Sequence, residues 1–168
     1  MTRRLLLAAT AAFAALALPV LADAVPAPVA VVDAFHAALH KGDSAGALRL
    51  LSAEVDIFEQ GFVDHARANY AGAHIAADVS FAQATERTVL ERRILWFGDN
   101  TACVLSQTRT KGTFQGQAID LIGTETMVLQ RAGAAWSISH IHWSAHPGGG
   151  ALQPAGGDQP PAATPQPR

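Results

Sequence analysis

Apolar and polar positions alternate with a period of two through GTETMVLQ and again through AWSISHIHWS, interrupted by Arg131-Ala132-Gly133-Ala134. That alternation predicts two half-buried strands, Ile119–Gln130 and Ala135–Ser144, joined as a long hairpin. Upstream, Thr85–Phe97 alternates loosely, Gly98-Asp99-Asn100 supplies a turn, Thr101–Phe114 forms the next strand and Gln115-Gly116-Gln117 turns again. The first half of the chain has a different period. Val32, Phe35 and Leu39 recur at helical spacing over Pro26–His40, and Lys41-Gly42-Asp43 stops the pattern. Asp43 or Ser44 then caps a second helix carrying Ala47, Leu48, Leu50 and Leu51. Val55–Glu59 reads as a short strand with Val55, Ile57 and Glu59 to one side. Helical spacing resumes from Val63 to about Phe81, where Tyr70, His74 and Asp78 line one stripe. Helices first and long antiparallel strands after them predict an α+β domain, with the helices packed on one face of a curved sheet.

Strand parity gives the main chemical expectation. Trp136, Ile138, His140 and His142 fall on one face of the last strand, and Ser137, Ser139, Ile141 and Trp143 on the other. The first face would close the core at one end and line a cavity at the other. Ile141 and Trp143 would then need a cover, either the C-terminal segment or a second subunit. If Arg131 to Ala134 make the turn, Leu129 lies opposite Trp136, Met127 opposite Ile138 and Glu125 opposite His140. A carboxylate beside an imidazole in a partly apolar concavity is a common way of holding a general acid or base. The same pair would serve equally as a polar bridge that fastens the hairpin.

Composition trims both ends of the chain. Arg3 and Arg4, the apolar run Leu5–Leu18, Pro19 and a small-residue cleavage site at Val20-Leu21-Ala22 or Ala22-Asp23-Ala24 predict a secretory signal peptide over residues 1–24. The apolar run is short for a membrane span, so export to the periplasm or medium is expected, with no membrane attachment after cleavage. Residues 147–168 are mostly Pro, Gly, Ala and Gln, and such a composition does not bury enough surface to order itself. Residues 25–146 remain as one domain. A net charge of −2 without any basic run argues against nucleic acid as a partner. Cys103 is the only cysteine and reads as a small buried hydrophobe.

Thr124-Glu125-Thr126, Arg131, Trp136, Ile138, His140, His142 and Ser144, with HAALHKGD leading to ALRLLSAEVDIFE upstream, resemble the nuclear transport factor 2-like superfamily. The likeness is to its SnoaL-like branch and to the calmodulin-dependent kinase association domain, and it spans Val29 to Ser144. It implies a cone: a strongly curved antiparallel sheet wrapped on about three N-terminal helices, enclosing a pocket and dimerising through the sheet. Phe35, Glu59, Tyr70, His74, Glu125, Met127, Trp136, His140 and His142 are the expected pocket residues. The superfamily holds ketosteroid isomerase, cyclases, dehydratases and members that only bind or assemble, so fold alone does not choose. The resemblance to the isomerase puts Glu59 near its carboxylate base and Glu125 near its second, protonated acid. Its oxyanion tyrosine falls at Phe35, which has no hydroxyl, and this argues against steroid isomerisation.

Three functions stand side by side at this point. One is binding of a small apolar or carbonyl-containing ligand, or assembly, without turnover. The second is metal-independent isomerase or lyase chemistry by acid–base groups, with Glu59, Glu125 and His140 as catalytic candidates. The third is zinc or copper binding through His74, Asp78, His140 and His142, since imidazole and carboxylate suit those ions. His36 and His40, four apart on the first helix, would add ligands or would be edge and solvent residues. No cofactor is expected.

Overall fold

The computed structural model describes residues 25–149. The signal peptide expected at 1–24 and most of the expected tail lie outside the described residues.

Pro28 sits in the first turn of helix α1, Ala27–Lys41, where a missing N–H costs no intrahelical bond. Val32, Phe35 and Leu39 form its buried face. Gly42 ends it at φ +80°, which lets the N–H groups of Gly42 and Asp43 close back on the carbonyls of Leu39 and Ala38. The Asp43 carboxylate caps α2, Ser44–Arg49, by accepting from Gly46 N–H at 2.7 Å. Leu51 does not extend that helix. It opens strand β1, Leu51–Glu59, which is longer than the sequence suggested because its start is held against the last strand.

The long helix expected from Val63 to Phe81 does not form. Gln60 and Gly61, both at positive φ, make a two-residue turn that sends the chain back as β2, Phe62–His65. Ala66, also at positive φ, then starts α3, Arg67–Gly72, and a break at Ala73-His74 precedes α4, Ile75–Ala84. The remaining strands are β3 (Thr85–Trp96), β4 (Thr101–Phe114), β5 (Gln117–Ala132) and β6 (Ala135–Pro147).

The six strands form one sheet in the order β2-β1-β6-β5-β4-β3. All neighbours are antiparallel except β1 and β6, which run parallel. The helices pack on its inner face. Val32, Phe35, Leu39, Leu51, Val55, Ile57, Val104, Met127, Leu129, Ile138 and Ile141 make the core between them. Gly112 sets how closely α4 approaches: a Cβ there would stand 2.5 Å from the Ala84 carbonyl oxygen. Cys103 is buried as expected, and burial pushes its thiol up from the ordinary value.

The β5–β6 hairpin differs from the expected one in two ways. The turn is Gly133-Ala134 alone, with Gly133 at φ +60°, so Arg131 rather than Leu129 pairs with Trp136. Then Leu129 pairs with Ile138 but Val128 pairs with His140, leaving Ser139 as an extra residue. A bulge of this kind puts two residues opposite one and exchanges the faces beyond it. Ile141 and Trp143 therefore turn inward, Ile141 becoming fully buried, while His140 and His142 turn outward beside Phe58. Ile141 and Trp143 are covered by the domain's own helices, not by the C-terminal segment or a second subunit.

Candidate functional site

A cavity of about 570 Å³ opens where α1 and α4 stand over the far ends of β3, β4, β5 and β6. This volume suits a small organic ligand. Glu125 on β5 projects into its wall with its side chain only 3% exposed. A carboxylate so deep needs donors, and three converge on it. His36 on α1 is 2.6 Å away through Nε2, Arg87 on β3 donates from Nη2 at 3.0 Å, and Trp143 on β6 donates from its indole at 2.8 Å. Burial pushes the Glu125 carboxyl up. The positive charge and hydrogen bond of His36, with Arg87 and Trp143, outweigh this and hold it at about 2. Glu125 is thus an ionised anchor, not the protonated acid that the isomerase resemblance implied.

A second acidic group lies where β1 meets α4. Glu59, the last residue of β1, lines the main cavity and also a smaller one of about 270 Å³ shared with Phe62, Asp64 and His74. Burial, then the negative charges of Asp78 and Asp64, raise its carboxyl to about 7 against a smaller opposing effect of His74. Tyr70 is fully buried and donates its hydroxyl to Asp78 at 2.7 Å, and burial raises both groups above their ordinary values. His74 Nδ1 pairs with Asp64 at 2.5 Å, and that hydrogen bond raises the imidazole. Tyr70, His74 and Asp78 come together through the α3–α4 break, not along one helix stripe.

Of the nine expected pocket residues, Glu59 and Glu125 line the main cavity and His74 the smaller one. Phe35, Tyr70 and Met127 are fully buried in the core, Phe35 stacking on Trp143 with centroids 6.2 Å apart. Trp136 lies at the opposite end of β6 against Trp96 and Arg131. His140 and His142 are on the outer face, so His140 is not the partner of Glu125. The four expected metal ligands divide likewise, His74 and Asp78 on the inner side and His140 and His142 outside. Among the described residues no three His, Cys, Asp or Glu side chains gather as a metal site.

His36, Arg87 and Trp143 were missed. His36 follows Phe35, so its place beside the buried helix face carried a signal. Arg87, in the loosely alternating TERTVLERR, carried none. Trp143 was hidden by the bulge.

This is a cone-shaped α+β domain, with helices closing one face of a curved sheet over a polar-ended cavity. The family model for the SnoaL-like domain matches residues 29–147, and the chain belongs to that family. A proposed ketosteroid isomerase from Shewanella frigidimarina NCIMB 400 is 36% identical, with a TM-score of 0.66 over 68% of this chain and 92% of that one. A proposed calcium/calmodulin-dependent protein kinase II association domain from Xanthomonas campestris is 18% identical, with a TM-score of 0.63 over 72% of this chain and 86% of that one. A proposed scytalone dehydratase from Novosphingobium aromaticivorans DSM 12444 is 14% identical, with a TM-score of 0.61 over 74% and 93%. The last two share the fold. A comparison with curated proteins returns no match.

Proposed function

We propose that the domain binds a small carbonyl-containing molecule in the 570 Å³ cavity and moves a proton on it with Glu59. The observation that carries this reading is the Glu59 carboxyl, on the cavity wall and pushed up to about 7. A carboxyl in that range takes a proton and returns it at neutral pH, where an ordinary one is a weak base. The step is the removal of a proton from the carbon next to the carbonyl, leaving an enolate, and its return to the same or a conjugated carbon. The 36% identity to a proposed ketosteroid isomerase supports this chemistry.

The test is deuterium wash-in from D2O at the α-carbon of small cyclic ketones such as cyclohexenone, followed by proton NMR. The protein should accelerate exchange and Glu59→Gln should remove the acceleration. Exchange no faster than in buffer, or unchanged in Glu59→Gln, would leave binding without turnover as the function.

We propose export on the strength of Arg3, Arg4 and the apolar run Leu5–Leu18. The outer sheet face, where Phe58, Val63 and Leu95 are partly exposed, supports pairing with a second copy.

A further inference from the structure

Arg87 is held at one end of the cavity with most of its hydrogen-bonding capacity unused. A guanidinium carries five N–H donors, and among the described residues Arg87 gives one hydrogen bond, from Nη2 to Glu125. Its side chain is 23% exposed and lines the cavity. Its neighbour Arg92 bonds Ser106 and Asp33, keeps Nη2 buried without a partner and does not line that space. The hydroxyl-bearing Thr108 and Thr110 stand on the facing positions of β4, Thr110 directly opposite Arg87. Gly123 keeps the floor open, because a Cβ there would stand 3.1 Å from Thr108 Oγ1.

Charge limits what fits. Arg87 and Glu125 cancel as a pair, and Glu59, Asp78 and Glu86 also line the cavity, so there is no surplus of positive charge to hold a phosphate dianion. The guanidinium fork matches the flat two-oxygen edge of a carboxylate. Leu39, Phe81, Leu121 and Trp143 supply an apolar lining for the remainder of the molecule.

We propose that the cavity takes an apolar-bodied monocarboxylate, its carboxylate paired with the free N–H groups of Arg87. This names the substrate class for the pocket described above and rests on that cavity being the ligand site, but not on Glu59 acting as a base.

Calorimetric titration of the full chain tests it with octanoate and benzoate as probes, octanamide and benzamide as uncharged counterparts, and inorganic phosphate. The carboxylates should bind at least about tenfold more tightly than the amides. Arg87→Lys keeps the charge beside Glu125 but loses the fork, so it should weaken the carboxylates about tenfold and leave the amides unchanged. Gly123→Leu fills the floor and should abolish binding of both; its circular dichroism reports whether it folds, and Arg87→Lys decides the matter if it does not. Equal affinity for acid and amide, no effect of Arg87→Lys, carboxylate binding that survives a folded Gly123→Leu, or tighter binding of phosphate would each overturn the proposal. Glu59→Gln separates the two readings, because it should retain octanoate while losing deuterium exchange. Carboxylate binding without any Glu59-dependent exchange would sink the acid–base reading and leave this one standing.

Discussion

Trp143 donates its indole N–H to Glu125 across the β5–β6 ladder at 2.8 Å, and the two residues face each other only because Ser139 is an extra residue in β6. One inserted residue decides which side chains reach the cavity. Were Ser139 paired as an ordinary ladder residue, His140 and His142 would turn toward the helices and Ile141 and Trp143 would turn to solvent.

Deleting Ser139 should therefore leave the faces of β6 as they are. Deletion joins Ile138 directly to His140, and simple alternation then keeps Ile138 and Ile141 inward and His140 and His142 outward, with the pairs Leu129–Ile138 and Val128–His140 unchanged. The expected outcome is a protein that still unfolds cooperatively by circular dichroism. Ser139→Ala loses only the hydroxyl bond to the Val128 carbonyl at 3.2 Å, about 1 kcal/mol in urea denaturation. A deletion variant without a cooperative transition would mean that the bend at the bulge, and not the register alone, holds the sheet on its helices.

The bulge also marks the limit of what the residues disclosed. Period and turn chemistry carried the α+β order, the first two helices, the three long strands β3 to β5 and the inward Ile138, because each depends on neighbours within a few positions. Ser139 resembles any other polar position in an alternating strand, so parity ran through it and assigned His140 to the cavity. The Gln60-Gly61 turn was legible in type, but the helical spacing of Tyr70, His74 and Asp78 concealed it. Arg87 reaches Glu125 from 38 positions away, a contact set by β3 and β4 pairing that no local pattern encodes.

Glu125 should give the domain an acid-sensitive term. Its carboxyl stands at about 2 in the folded protein against an ordinary 4.5. A depressed value means stability that is fully present above 4.5 and is lost as pH falls from there through 2, about 3 kcal/mol in all. Urea denaturation between pH 2 and 6 measures it. Glu125→Gln should flatten that slope while lowering stability at pH 7 by about 3–5 kcal/mol, since Arg87 would keep its burial and lose its counter-charge. An unchanged slope in the variant would assign the acid sensitivity elsewhere.

Glu59 should act with the opposite sign. Its carboxyl is raised from 4.5 to about 7, so the stability it contributes is fully present below 4.5 and is lost as pH rises through 7. Glu59→Gln carries no charge to bury. It should melt at a higher temperature than the parent at pH 8, and the difference should close below pH 4.5. A variant less stable than the parent at pH 8 would show that the ionised carboxylate is stabilised in place, and would remove the physical basis for its use as a base.

Pairing of two copies makes its own prediction at Phe58. Its ring is 37% exposed in the outer face, with His140 at 5.4 Å, His142 at 6.3 Å and His65 at 6.5 Å between centroids. The register places Phe58, His142, Thr126 and Leu105 in one row across that face and Leu95, Cys103, Val128 and His140 in the next. A charge placed there opposes association, because a carboxylate would be buried without a partner. Phe58→Asp should therefore sediment as a monomer at concentrations where the parent sediments as a dimer. It should melt within a few degrees of the parent monomer, since Phe58 is not part of the inner core. A parent protein that sediments as a monomer at all concentrations, or a variant that still pairs, would show that the outer face is not where copies meet.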